Sequence, residues 1–150
     1  MKNVVVVDTN IVIKWVLKEP DSSTAHALLT EWINKGTTII APALLAYEVA
    51  NVLYKNVRKG QISLEEAKKA LKEVLLSELE IDFLQDSALG IRAIELADKF
   101  GLPATYDLHY LALAEREGCE LWTANMKMLR ATRGQLSWVR WLEDYHTSKD

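Results

Sequence analysis

Residues 4–10 read VVVVDTN: four valines run into Asp8, Thr9 and Asn10. A run this short and β-branched predicts a strand buried on both faces, as in a parallel sheet. Asp8 then falls at the strand's carboxyl end, with no partner of opposite charge close by in sequence. In an open parallel α/β sheet that edge is where ligands bind.

The rest of the chain repeats the pattern. Helices are expected over 11–17, 22–35, from Pro42 to the Gly60 stop, 63–79, 86–100, 107–117 and 124–130. Short strands are expected at 37–40, 81–84, 120–123 and 138–142. Pro42 suits a first helical position, and Ser63-Leu64-Glu65-Glu66 matches a capping box. Gly36, Gly60, Gly101 and Gly118 each follow a periodic segment and read as helix stops. Alternating helices and strands predict an α/β fold: a short, twisted parallel sheet of four to five strands flanked by helices in three layers.

The 150 residues, 49% hydrophobic and 26% charged, fit a single domain, 1–150, with a core of its own. The single cysteine, Cys119, forms no internal disulfide, in keeping with a reducing cytoplasm. The opening valines are too few for a signal peptide. No apolar run approaches the roughly 18 residues of a membrane span. A soluble cytoplasmic protein is therefore expected. With a net charge of −3, contact with nucleic acid needs a local basic patch.

Three further polar residues are expected at the sheet edge of Asp8. Asn125 follows the strand that ends in Leu121-Trp122-Thr123. Glu48 lies on the apolar stripe of its helix, beside Leu44, Leu45, Val49 and Val52, where a lone charge is costly. Asp107 opens the apolar helix DLHYLALA. Each has a plainer reading: Asp8, Asp107 and Asn125 suit helix caps, and Glu48 could pair with a lysine or arginine. Together, three carboxylates at one edge call for a divalent cation. The histidines, His26, His109 and His146, lie at no ligand spacing, so oxygen ligation favours Mg²⁺ or Mn²⁺ over Zn²⁺. There is no Walker loop and no GxGxxG.

VVVVDTNIVIKWV, APALLAYEVANVL, TYDLHYLALAE and LWTAN stand in the order and spacing of a PIN-domain protein. The chain resembles the small ribonuclease toxins of the VapC type over residues 4 to 142. The resemblance places acids at Asp8, Glu48 and Asp107, and a small polar residue at Asn10. The family's usual fourth acid is here Asn125, after Thr123-Ala124. By resemblance the activity is Mg²⁺- or Mn²⁺-dependent cleavage of RNA, and the partners are a second copy of the chain and an antitoxin protein.

On this reading Asp8 and Asp107 hold the metal directly, and Glu48 does so directly or through water. Asn10 and Thr123 stand behind them. The Asn125 amide offers an oxygen without a charge, which favours one tight ion over two. Lys14, Lys127, Arg130 and Arg133 are candidate RNA phosphate contacts. An alternative is a degenerate PIN-like module that binds RNA or protein without cutting. A phospho-acceptor role for Asp8 fits less well, because the accompanying acid pair and late lysine are missing.

Overall fold

The computed structural model describes residues 3–82, 87–132 and 134–146. In chain order the elements are β1 (Val4–Val7), α1 (Thr9–Val16), α2 (Ser22–Asn34), β2 (Thr38–Pro42), α3 (Leu44–Arg58), α4 (Leu64–Leu75) and β3 (Leu79–Asp82). There follow α5 (Ser87–Lys99), α6 (Tyr106–Glu117), β4 (Glu120–Thr123), α7 (Met126–Thr132), β5 (Val139–Trp141) and a 3₁₀ turn, Leu142–Asp144.

All strand pairs are parallel, and the spatial order is β3-β2-β1-β4-β5. Helices flank the sheet in a three-layer α/β/α arrangement, as the sequence pattern predicts. The four valines form the central strand, and Val5, Val6 and Val7 are buried. From β1 the chain builds outward on one side through β2 and β3, then crosses back to add β4 and β5. The order therefore reverses between β1 and β4, where open α/β sheets form ligand crevices. Val7 pairs with Trp122. The next rung brings Asp8 beside Thr123.

Helix α6 packs against β1 and β2 on one side and α5 on the other. Its residues Leu108 and Tyr110 to Ala114 are all buried, which explains why its sequence is apolar nearly all round. The five tryptophans divide as packing residues would. Trp15, Trp32, Trp122 and Tyr145 form a chain of edge-to-face contacts at 6.4, 6.3 and 6.1 Å. Among the described residues, no helix is long and apolar enough to cross a membrane.

Several boundaries differ from those expected. Pro42 closes β2 instead of opening α3, because the sheet extends far enough for Ala41 and Pro42 to pair with Ile81 and Asp82. α4 ends at Leu75, not at 79, since Leu79 is claimed by β3 in register with Ile39. The expected end of β3 at Leu84 and the start of α5 at Asp86 lie outside the described residues. The capping box at Ser63 forms as expected: the Glu66 amide donates to Ser63 Oγ at 3.0 Å, and the Ser63 amide donates to Glu66 Oε1 at 3.1 Å.

Gly118 ends α6 and turns the chain into β4 with φ +64°. A side chain there meets no neighbour, so the cost of adding one is conformational only. Gly118→Ala is expected to lower stability by about 1–2 kcal/mol, read from the urea midpoint at unchanged slope.

Candidate active site

Asp8 leaves β1 and becomes the N-cap of α1. Its Oδ1 accepts the Ile11 amide at 3.3 Å, and its Oδ2 accepts the Thr123 hydroxyl. The capping role considered from sequence is thus real, but it uses only part of the carboxylate. Asp8 is buried, and among the described residues no basic side chain pairs with it. Burial pushes its carboxyl up to about 7, and the charge of Asp107 adds to the rise. The bonds from Thr123 and Ile11 work in the opposite direction without cancelling it.

Glu48 projects from α3 and is half-buried. What accompanies it on the apolar stripe is not a cation but two hydroxyls. Tyr110 Oη donates to Glu48 Oε1 at 2.5 Å, and Thr9 Oγ1 donates to the same oxygen at 3.0 Å. The two hydroxyl oxygens stand 2.8 Å apart. Burial, and then the charge of Glu48, raise the Tyr110 phenol above its ordinary value, so it stays a donor.

Asp107 lies in the first turn of α6, one residue inside the helix, where the end charge of the helix favours a carboxylate. Its Oδ2 accepts Asn125 Nδ2 at 3.0 Å. Asn125 Oδ1 accepts the Lys127 amide at 3.0 Å, and more weakly that of Met128 at 3.4 Å. Turning the amide over would set oxygen against Asp107 and NH₂ against two amides, so the network fixes its sense. The oxygen expected to face a cation caps α7 instead, and Asn125 turns its hydrogens toward Asp107. The Asn125 backbone N–H in turn donates to Thr123 Oγ1 at 2.8 Å.

Asp8, Thr9, Asn10, Glu48, Asp107, Tyr110 and Asn125 line one pocket of about 300 Å³ at the switch point of the sheet. The sequence model of one family, described as the PIN domain, matches residues 5–134. The chain belongs to the PIN-domain family. Exonuclease VapC9 of Pyrobaculum aerophilum is 31% identical over 119 residues, covering 77% of this chain and 86% of that protein. Ribonuclease VapC3 of the same organism is 34% identical over 90 residues, covering 57% of this chain and 64% of that protein. A crystal structure of a P. aerophilum protein superposes with a TM-score of 0.67 at 27% identity, covering 95% of this chain and 93% of that one. A toxin–antitoxin complex from Klebsiella pneumoniae contains the same fold, at a TM-score of 0.60 and 19% identity over 91% of this chain and 98% of that one.

Within this PIN domain the donor set suits a hard divalent cation in kind. Every donor atom that the three acids offer is oxygen, and among the described residues Glu48 Oε2 and Asp107 Oδ1 accept no hydrogen bond. In spacing the acids are held apart. Among the described residues, no three His, Cys, Asp or Glu side chains stand close enough to hold an ion as they are. Tyr110 and Thr9 fix the Glu48 carboxylate, and Asn125 fixes Asp107.

The candidate phosphate contacts do not gather as expected. Lys14 turns to Glu19 at 3.5 Å. Lys127 and Arg130 are exposed on α7, and Arg133 lies outside the described residues. The cation that lines the pocket is Lys55, with Asn51 beside it. Sequence reading passed over it, although Glu48, Asn51, Val52 and Lys55 share one face of α3 at helical spacing. Thr9 and Tyr110 were also missed, the second because it sits in an apolar run.

An ordinary aspartate ionises near 3.8, whereas folded Asp8 keeps its proton to about 7. The contribution of Asp8 to stability is therefore complete below pH 3.8, falls as pH rises, and is lost above about 7. Without divalent metal, wild type is expected to lose stability relative to Asp8→Asn between pH 5 and pH 8. Paired urea melts in EDTA measure this, and a constant difference across that range contradicts it.

Proposed function

We propose that this protein is a metal-dependent ribonuclease that hydrolyses RNA phosphodiester bonds, with Mg²⁺ or Mn²⁺ held by Asp8, Asp107 and Glu48. One observation carries the reading. Three carboxylates from three separate elements line one pocket at the switch point, and the most buried of them has no basic partner among the described residues. A divalent ion offsets both the burial of Asp8 and its repulsion by Asp107. The family relationship and the relatives named as an exonuclease and a ribonuclease support the same reading.

When bound, the ion supplies charge at the phosphoryl group and a more acidic water. The side chains supply orientation. Thr123 and the Ile11 amide set the Asp8 carboxylate, and the Asn125 NH₂ sets Asp107. Glu48 Oε2 is the free oxygen by which Glu48 would hold the ion, directly or through a water. Lys55, at the lip of the pocket, contacts a substrate phosphate.

In biological terms we take the protein for the toxin of a toxin–antitoxin pair that acts as a homodimer in the cytoplasm. The toxin–antitoxin complex among its structural neighbours supports this. So do the exposed apolar side chains, Tyr47 and Tyr54 on α3, Leu64 and Leu75 on α4, and Ile91 and Ile94 on α5, which suit protein partners.

Purified protein with mixed RNA and Mn²⁺ is expected to shorten the RNA, and EDTA or Asp8→Asn to abolish the cleavage while circular dichroism stays native. Undiminished cleavage by Asp8→Asn overturns the site. Binding of RNA without cleavage by wild type identifies a module that holds RNA without cutting.

Lys55→Glu is expected to weaken RNA binding and to lower the slope of log K against log salt by about one. Lys14→Glu serves as the comparison, since Lys14 already pairs with Glu19. Equal slopes for wild type and Lys55→Glu remove Lys55 from the phosphate path.

A further inference from the structure

Glu48 is the one acid of the pocket whose position is set by side chains from two other helices. Tyr110 comes from α6 and Thr9 from α1. Both are buried, at 1% and 7% exposure. Their hydroxyls converge on a single atom, Glu48 Oε1. Tyr110 also stands three residues after Asp107, so the two share a face of α6. One helix thus carries one carboxylate of the site and the hydroxyl that fixes another.

Packing alone does not account for the hydroxyls. A phenylalanine at 110 and a valine at 9 fill nearly the same volumes without placing polar atoms in a buried cluster. A carboxylate that accepts two donors at one oxygen is left with a fixed plane and one free oxygen. Groups that orient a metal-binding carboxylate in this way govern how well it binds.

We propose that Tyr110 and Thr9 are positioning residues for metal binding. They hold Glu48 Oε1 so that Oε2 is the oxygen offered to the ion. The inference rests on the reading of Asp8, Asp107 and Glu48 as the metal site. Neither hydroxyl touches the ion or the RNA. Each acts through Glu48.

The test is Mn²⁺ binding to the whole protein without RNA, followed by calorimetry and by the spin-resonance signal of free Mn²⁺. Tyr110→Phe and Thr9→Val are each expected to weaken binding by about 10- to 100-fold. Thr9→Ser, which keeps the hydroxyl, is expected to restore it. In a Glu48→Gln background, Tyr110→Phe is expected to change the affinity by much less, because the group it positions is altered. A purely structural role lowers the melting temperature of the variants and leaves the affinity unchanged, and that result overturns the proposal. If Tyr110→Phe does not fold, Thr9→Val against Thr9→Ser decides it, and equal affinities overturn it. Wild type that binds no Mn²⁺ overturns this proposal together with the proposed function. Binding that Asp8→Asn abolishes, but Tyr110→Phe and Thr9→Val leave intact, overturns the positioning role alone.

Discussion

Thr123, at the end of β4, donates its hydroxyl hydrogen to Asp8 at the end of the neighbouring β1, and much of the site depends on that contact. β1 is the central strand, so the residue that ends it can reach bulk water only through the crevice left where the strand order reverses. Placed there, a carboxylate loses hydration and must find donors. It receives the Thr123 hydroxyl and the Ile11 amide, which hold its orientation but leave its ionisation unfavourable. The same Thr123 oxygen accepts the Asn125 backbone N–H, so the start of α7 is tied to the end of β1 through one hydroxyl.

The remaining acids are organised by neutral donors in the same way. Glu48 rests on two hydroxyls, and Asp107 on a carboxamide. Neutral donors orient a carboxylate without cancelling its charge, whereas a lysine or arginine in their place would form a closed ion pair. The pocket therefore keeps its negative potential with its side chains in fixed positions. Lys55 lines it from α3 while exposed to solvent.

Much of this was legible in the sequence because it follows from period and position. A buried strand ending in Asp8, an acid inside an apolar helix stripe at Glu48, and another at the head of α6 are one-dimensional signals. So was the departure at Asn125, but the way its amide faces was not, since that depends on the α7 backbone and Asp107 together. Tyr110 read as core, and it is core. Only the direction of its hydroxyl makes it part of the site, and direction is a tertiary property. Lys14 read as a phosphate contact because it follows Asp8 closely, yet Glu19 lies close enough to claim it. Pro42 shows the same limit for the fold: its ring suits the start of a helix or the end of a strand, and pairing with β3 decided for the strand.

The separation along the chain of the parts of the pocket has a consequence for synthesis. Asp8 and its hydroxyl donor are 115 residues apart, and Asp107 and Asn125 both come after β3. A ribosome that has released β1 to β3 has made Asp8 and Glu48, but neither the helix that carries Asp107 and Tyr110 nor the strand that carries Thr123. No shorter nascent chain contains the complete pocket. The pocket is therefore complete only once residue 125 has been made, and a fragment that stops short of β4 lacks it.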